Sequence, residues 1–211
     1  MKTDDLIRAL AEDAPTQSGA ARKKALMLLA ASTLVAGLLL VITFTLRDDL
    51  AGAGAWPTFR KLVFTLLLLA AGARGATILM QPDARMRDAL IWLAAPVAAI
   101  VAFISADIAL NGSANLGARV IGSTAWQCLI SVSMLSTAPL AALLYGLREG
   151  ATTRPDIAGA LAGVAAGGLA ASLYALHCTD DGPLFVGVWY GLAIILVGAM
   201  GWFAGRRVLQ W

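Results

Sequence analysis

Six apolar runs divide the chain, over residues 26–46, 62–80, 89–106, 126–147, 157–176 and 184–204. Each approaches the length of about 20 residues that a helix needs to cross bilayer hydrocarbon. The first run is too long for the core of a signal peptide and reads as an uncleaved span. The pattern predicts an all-α fold: a polytopic membrane protein in which residues 26–211 form a bundle of six transmembrane helices behind a polar segment, residues 1–25.

Within that polar segment a second periodicity appears. Thr3 can cap a helix whose first turn holds Asp4 and Asp5, and Leu6, Ile7, Leu10 and Ala11 form an apolar stripe at helical spacing. A short amphipathic helix over residues 4–13 follows. At about ten residues it is marginal in water, so its stripe needs a partner. A tether, a helix lying on lipid and a partner-binding helix are the competing readings. The acidic polar face, with Asp4, Asp5, Glu12 and Asp13, counts against the lipid-surface version.

Composition agrees with the bilayer assignment: 59% of residues are hydrophobic and 14% charged, with a mean hydropathy of +0.77. The net charge of +3 does not point to nucleic acid, because Arg and Lys cluster at the ends of the apolar runs. Lys2, Arg8, Arg22, Lys23, Lys24, Arg85, Arg87, Arg148, Arg154, Arg206 and Arg207 flank one side; Arg47, Arg60, Lys61 and Arg119 flank the other. The positive-inside rule makes both termini cytoplasmic and turns the loops 47–61, 107–125 and 178–183 outward.

Inside the spans, Gly159, Gly163 and Gly167 recur every fourth residue, as do Gly187 and Gly191. These faces allow close packing, either between the last two spans or across a homodimer seam. Pro96 and Pro139 are expected to kink the third and fourth spans. Deep charges of a transport path are nearly missing, as are the G-x-S-x-G, H-E-x-x-H, phosphate-loop and C-x-x-C signatures, so neither an enzyme nor a coupled transporter is supported. A small exporter of a hydrophobic or metal solute, lined by Ser131, Ser133, Ser136 and Thr137, is the alternative; those hydroxyls are read first as bonds to neighbouring helices.

Reactive groups concentrate at residues 176–183, which hold the only histidine, His177, with Cys178, Asp180 and Asp181. Counting outward from the turn at 148–155, Cys128 and Cys178 fall within about 3–5 Å of the same height, on antiparallel neighbours at the outer surface. Three readings compete. The cysteines form a structural disulfide, act as a sensor that binds a soft metal or is oxidised, or are unrelated core residues. In the sensor reading His177 and Asp181 add ligands to Cys128 and Cys178 around a transient heavy-metal ion, and no resident cofactor is required.

The N-terminal residues Met1 to Ile7 with Leu10, the six spans, and His177-Cys178 with Asp181, Pro183-Leu184-Phe185 and Trp189-Tyr190 together resemble the NrsF family. That resemblance implies a six-helix anti-sigma factor of the bacterial inner membrane. It implies that Thr3, Asp4, Asp5, Leu6, Ile7 and Leu10 belong to a segment that holds an extracytoplasmic-function sigma factor. It also implies that Cys128 and Cys178 are needed for release under heavy-metal or oxidant stress.

Overall fold

The computed structural model describes residues 19–112 and 115–210, and no strand occurs among them. Six helical segments are long and apolar enough to cross a membrane: α1 (Gly19–Thr43); α2 (Ala55–Ile78); α3 (Met86–Leu90) with α4 (Ala94–Asn111); α5 (Leu116–Ile121) with α6 (Ala125–Leu135) and α7 (Thr137–Leu147); α8 (Pro155–Tyr174); and α9 (Pro183–Phe185) with α10 (Gly191–Val208). The arrangement is compatible with a multi-pass membrane protein. The expected amphipathic helix at 4–13, and with it Thr3, Asp4, Asp5, Leu6, Ile7 and Leu10, lies outside the described residues.

Several helices outrun their apolar stretches. Pro57 fits the first turn of α2, where a missing N–H costs nothing, so the helix begins at Ala55 and takes Arg60 and Lys61 into its body. Both expected kinks are present as breaks just upstream of each proline. A 3₁₀ turn, Ile91–Leu93, precedes Pro96, and Ser136 separates α6 from α7 ahead of Pro139. The proline ring crowds the preceding turn and leaves one of its carbonyls without an amide.

The axis of the bundle is α8, packed between α10 and α2. At Gly159 and Gly163 a methyl group would collide with the backbone of Gly201 and Val197, so the two helices touch main chain to main chain. This is the predicted packing of the last two spans, and it occupies that face within one chain, leaving it unavailable to a second copy. The partner stripe differs from expectation. Gly201 and Gly205 meet α8, whereas Gly187 faces Ile104 and Gly191 faces open space. The reason is a π turn at Val186–Tyr190, through which a four-residue spacing no longer keeps to one face. On the other side of α8, Ser172 donates to the Thr65 hydroxyl of α2 at 2.8 Å.

Other hydroxyls bond locally. Ser133, Ser136 and Thr137 donate to Leu129, Ser133 and Met134 carbonyls of their own segment, not to neighbouring helices as expected. The two ends of the bundle are distinct. Residues 44–54, 122–124 and 175–182 gather at one end, and Ala151 N–H donates to the Met80 carbonyl at the other. These groupings match the two sides read from the basic residues.

Candidate functional site

Three chain segments converge where α1 stops. Arg47, four residues past its last turn, has a side chain only 3% exposed. Its Nε and Nη2 donate to Asp49 at 2.6 and 2.9 Å. Nη1 and Nη2 donate to the two Asp181 oxygens at 2.8 and 3.0 Å, and Nη1 also reaches the Cys178 carbonyl at 3.1 Å and the Thr58 hydroxyl at 3.3 Å. From α2, Lys61 Nζ donates to the same Cys178 carbonyl at 2.7 Å and pairs with Asp181 at 2.6 Å. Two cations and two carboxylates thus balance, which is the condition under which buried charges are tolerated.

The site is built tightly enough to constrain its surroundings. Gly54 packs where a Cβ would lie 2.5 Å from both Asp49 oxygens and 2.6 Å from Arg47 Nη2, so a larger residue would displace the Asp49–Arg47 contact. Asp49, bonded to Arg47, is held below the usual carboxylate range. Burial pushes the Asp181 carboxyl up, but its bonds to Arg47 and Lys61 outweigh this and hold it low.

Asp180 has a different task. Thr124, at the start of α6, makes no capping bond of its own to that helix. Asp180 instead accepts from the Ser123 and Thr124 backbone N–H groups at 3.0 and 2.9 Å and from the Thr124 hydroxyl at 2.6 Å. A carboxylate from the 175–182 loop therefore supplies the acceptor at the head of the helix that carries Cys128. Burial raises this carboxyl as well, and the Thr124 and Ser123 bonds bring it below the ordinary value.

Both cysteines are free and buried, 0% and 1% exposed, where the sequence placed them at the outer surface. Helix extension and the folded-over loop account for the difference, since α6 begins at Ala125 and the Asp180 contact closes the chain above it. The thiols share a buried cluster with Tyr174, Phe185 and Tyr190 without lying near each other. Cys178 Sγ has only long contacts, 3.8 Å to the Thr124 hydroxyl and to the Asp180 carbonyl. The Tyr174 and Tyr190 hydroxyls are buried with no hydrogen-bond partner among the described residues, a costly arrangement that leaves polar groups uncommitted beside the thiols.

The four residues read as a donor set are not brought together around one point. His177 Nδ1 bonds the Thr45 carbonyl at 2.6 Å with its ring 4.8 Å from that of Phe44, and Asp181 is occupied by the two cations. Among the described residues no group of three or more His, Cys, Asp and Glu is placed to hold a metal ion. Sequence reasoning missed Arg47, Asp49 and Lys61, treating the cations as markers of topology. The available signal was a supply of acids, Asp49, Asp180 and Asp181, in the outward loops facing those same cations.

Residues 10–211 match the family described as NrsF, negative regulator of sigma F. Across the full length of both chains the protein is 36% identical to the anti-sigma-F factor NrsF of Caulobacter vibrioides and 34% identical to the probable anti-sigma-F factor NrsF of Azospira oryzae. No solved structure matches it. With matches that run from end to end and six apolar helices arranged about a buried polar end, the chain belongs to the NrsF family of negative regulators of sigma F.

Proposed function

We propose that the chain is an anti-sigma factor of the bacterial inner membrane with both termini in the cytoplasm. In this reading it holds a sigma factor of the extracytoplasmic-function class through Thr3, Asp4, Asp5, Leu6, Ile7 and Leu10. Release follows when a soft metal ion or an oxidant engages Cys128 and Cys178. The role is regulatory and not catalytic. The observation that carries it is the end-to-end relation to two chains named as anti-sigma-F factors.

Because both thiols are buried, this reading requires the cluster around them to open before a metal ion or oxidant can reach them. Thiolates are the metal-binding form, so capture of a soft cation expels thiol protons and inserts an ion into a closed cluster. The surrounding packing has to rearrange to admit it, which is how a small ligand becomes a change of shape.

The binding half is tested by Leu6→Asp with Leu10→Asp in the full chain. The sigma factor should no longer co-purify from solubilised membranes while the anti-sigma factor remains in them; undiminished co-purification would sink the assignment. For the sensing half, Cys128→Ser with Cys178→Ser should retain the sigma factor during cadmium exposure, and normal release from that variant would remove the thiols from the mechanism.

A further inference from the structure

The end of α1 and the Cys178 segment are joined residue by residue. Phe44 packs against His177 in a tilted pair, ring centres 4.8 Å apart, and lies edge-on to Tyr174 at 6.0 Å. The Thr45 carbonyl bonds His177, and the Arg47 backbone N–H donates to the Leu176 carbonyl at 3.2 Å. The Arg47 guanidinium and Lys61 ammonium close on the Cys178 carbonyl and on Asp181. Between the sulfur-bearing residue and α1 there is one buried ionic clasp and a short tether.

Elsewhere α1 is held lightly. Only 11% of its apolar stretch, residues 26–43, is buried, with Ala36 and Leu40 as the buried side chains there, and it packs chiefly on α7. Its far end leads directly into the N-terminal segment. A helix anchored firmly at one end and weakly along its length moves as a unit when its anchor moves.

We infer that Arg47, Lys61 and Asp181 form the coupling by which the state of the Cys178 segment sets the position of α1, and through α1 the N-terminal segment. The three are positioning residues: they touch neither the sigma factor nor the incoming metal, and they transmit displacement because the clasp binds the Cys178 backbone itself. This coupling rests on the reading that the N-terminal segment holds the sigma factor. It supplies a contiguous chain of contacts from the Cys178 segment to α1, the kind of path that communication across about 30 Å of bilayer requires.

The test perturbs the clasp and reads the opposite end of α1. Full-length protein in lipid nanodiscs is compared by hydrogen–deuterium exchange as wild type, Asp181→Asn and Arg119→Gln. Arg119 pairs with Asp107 at the same end of the bundle and donates to the Gly112 carbonyl, outside the clasp, so it reports the effect of a broken ion pair alone. Asp181→Asn should speed exchange at least about threefold both at residues 44–49 and at residues 19–25, with Arg119→Gln changing only its own surroundings. An effect of Asp181→Asn confined to 44–49, or an equal effect of Arg119→Gln at 19–25, overturns the coupling.

Should Asp181→Asn fail to fold, Arg47→Gln combined with Asp181→Asn removes one cation along with the carboxylate and carries the same expectation. In cells, the clasp variant should also shift the cadmium concentration that releases the sigma factor, by about fivefold or more. Wild type that retains its sigma factor in cadmium would defeat the thiol reading, while the exchange comparison would still decide the coupling.

Discussion

α8 and α1 are both apolar helices, of 20 and 25 residues, yet 72% of the apolar window of one and 11% of the other is buried. Hydrophobicity does not explain the difference, since α1, the less buried helix, is the more hydrophobic of the two. In lipid a leucine gains nothing by leaving the acyl chains for a protein interior, so association follows from how closely backbones approach. α8 is built from Ala and Gly and is gripped on two sides, whereas α1 turns Leu34, Leu38 and Ile42 outward. One helix is the axis of the bundle; the other is attached at a few points, the strongest of them beyond its own end.

The largest effect should come from filling the axis. Gly163→Leu would drive a side chain into the α10 backbone at Val197, where neither helix can yield without losing the seam. Overpacking typically costs about 1–3 kcal/mol, and with backbone on the far side of the contact this variant should fall at the upper end and fail to give a monodisperse species after solubilisation. Normal yield and melting would show that α8 is less tightly held than its burial implies.

Acidification should strike the attachment of α1 and spare the axis. Asp181 and Asp180 titrate below their ordinary value of 3.8 in the folded chain, so their contribution is complete above that value and is lost as pH falls through the lower, folded one. Melting temperature should therefore be level from pH 7 to about 5 and decline below about 4. A flat profile through that acid range would mean that the carboxylates contribute no net stability.

The smallest effect belongs to the outward face of α1. Leu34, 74% exposed within the chain, should tolerate Leu34→Ala with a change within about 0.5 kcal/mol by reversible unfolding in detergent. A loss above about 2 kcal/mol would mean that α1 has a lateral partner there and would erase the contrast with α8.

Much of this contrast was legible beforehand, because it rests on local patterns. Apolar length locates six segments, basic residues sort their ends, and the glycine spacing at 159, 163 and 167 picks out the closely packed helix. The clasp was not legible, since Arg47 meets Cys178 and Asp181 across separations of 131 and 134 residues. An arginine at the end of an apolar run looks the same whether it faces water or a carboxylate. Cysteine burial was hidden for a related reason: Asp180 closes over the head of α6 through contacts to Ser123 and Thr124 that no local pattern announces.

The π turn at Val186–Tyr190 leaves the last segment with two rotational phases in one helix. Below it, Gly201 and Gly205 address α8; within it, Tyr190 enters the core while Trp189 donates to the Val120 carbonyl at 2.8 Å. Losing a single residue from this turn would restore a regular helix but rotate one half against the other by about 100°. The glycine seam and the aromatic contacts beside Cys178 could not then both be satisfied. Chain length at this turn is thus as strict a requirement as the identity of any side chain near it.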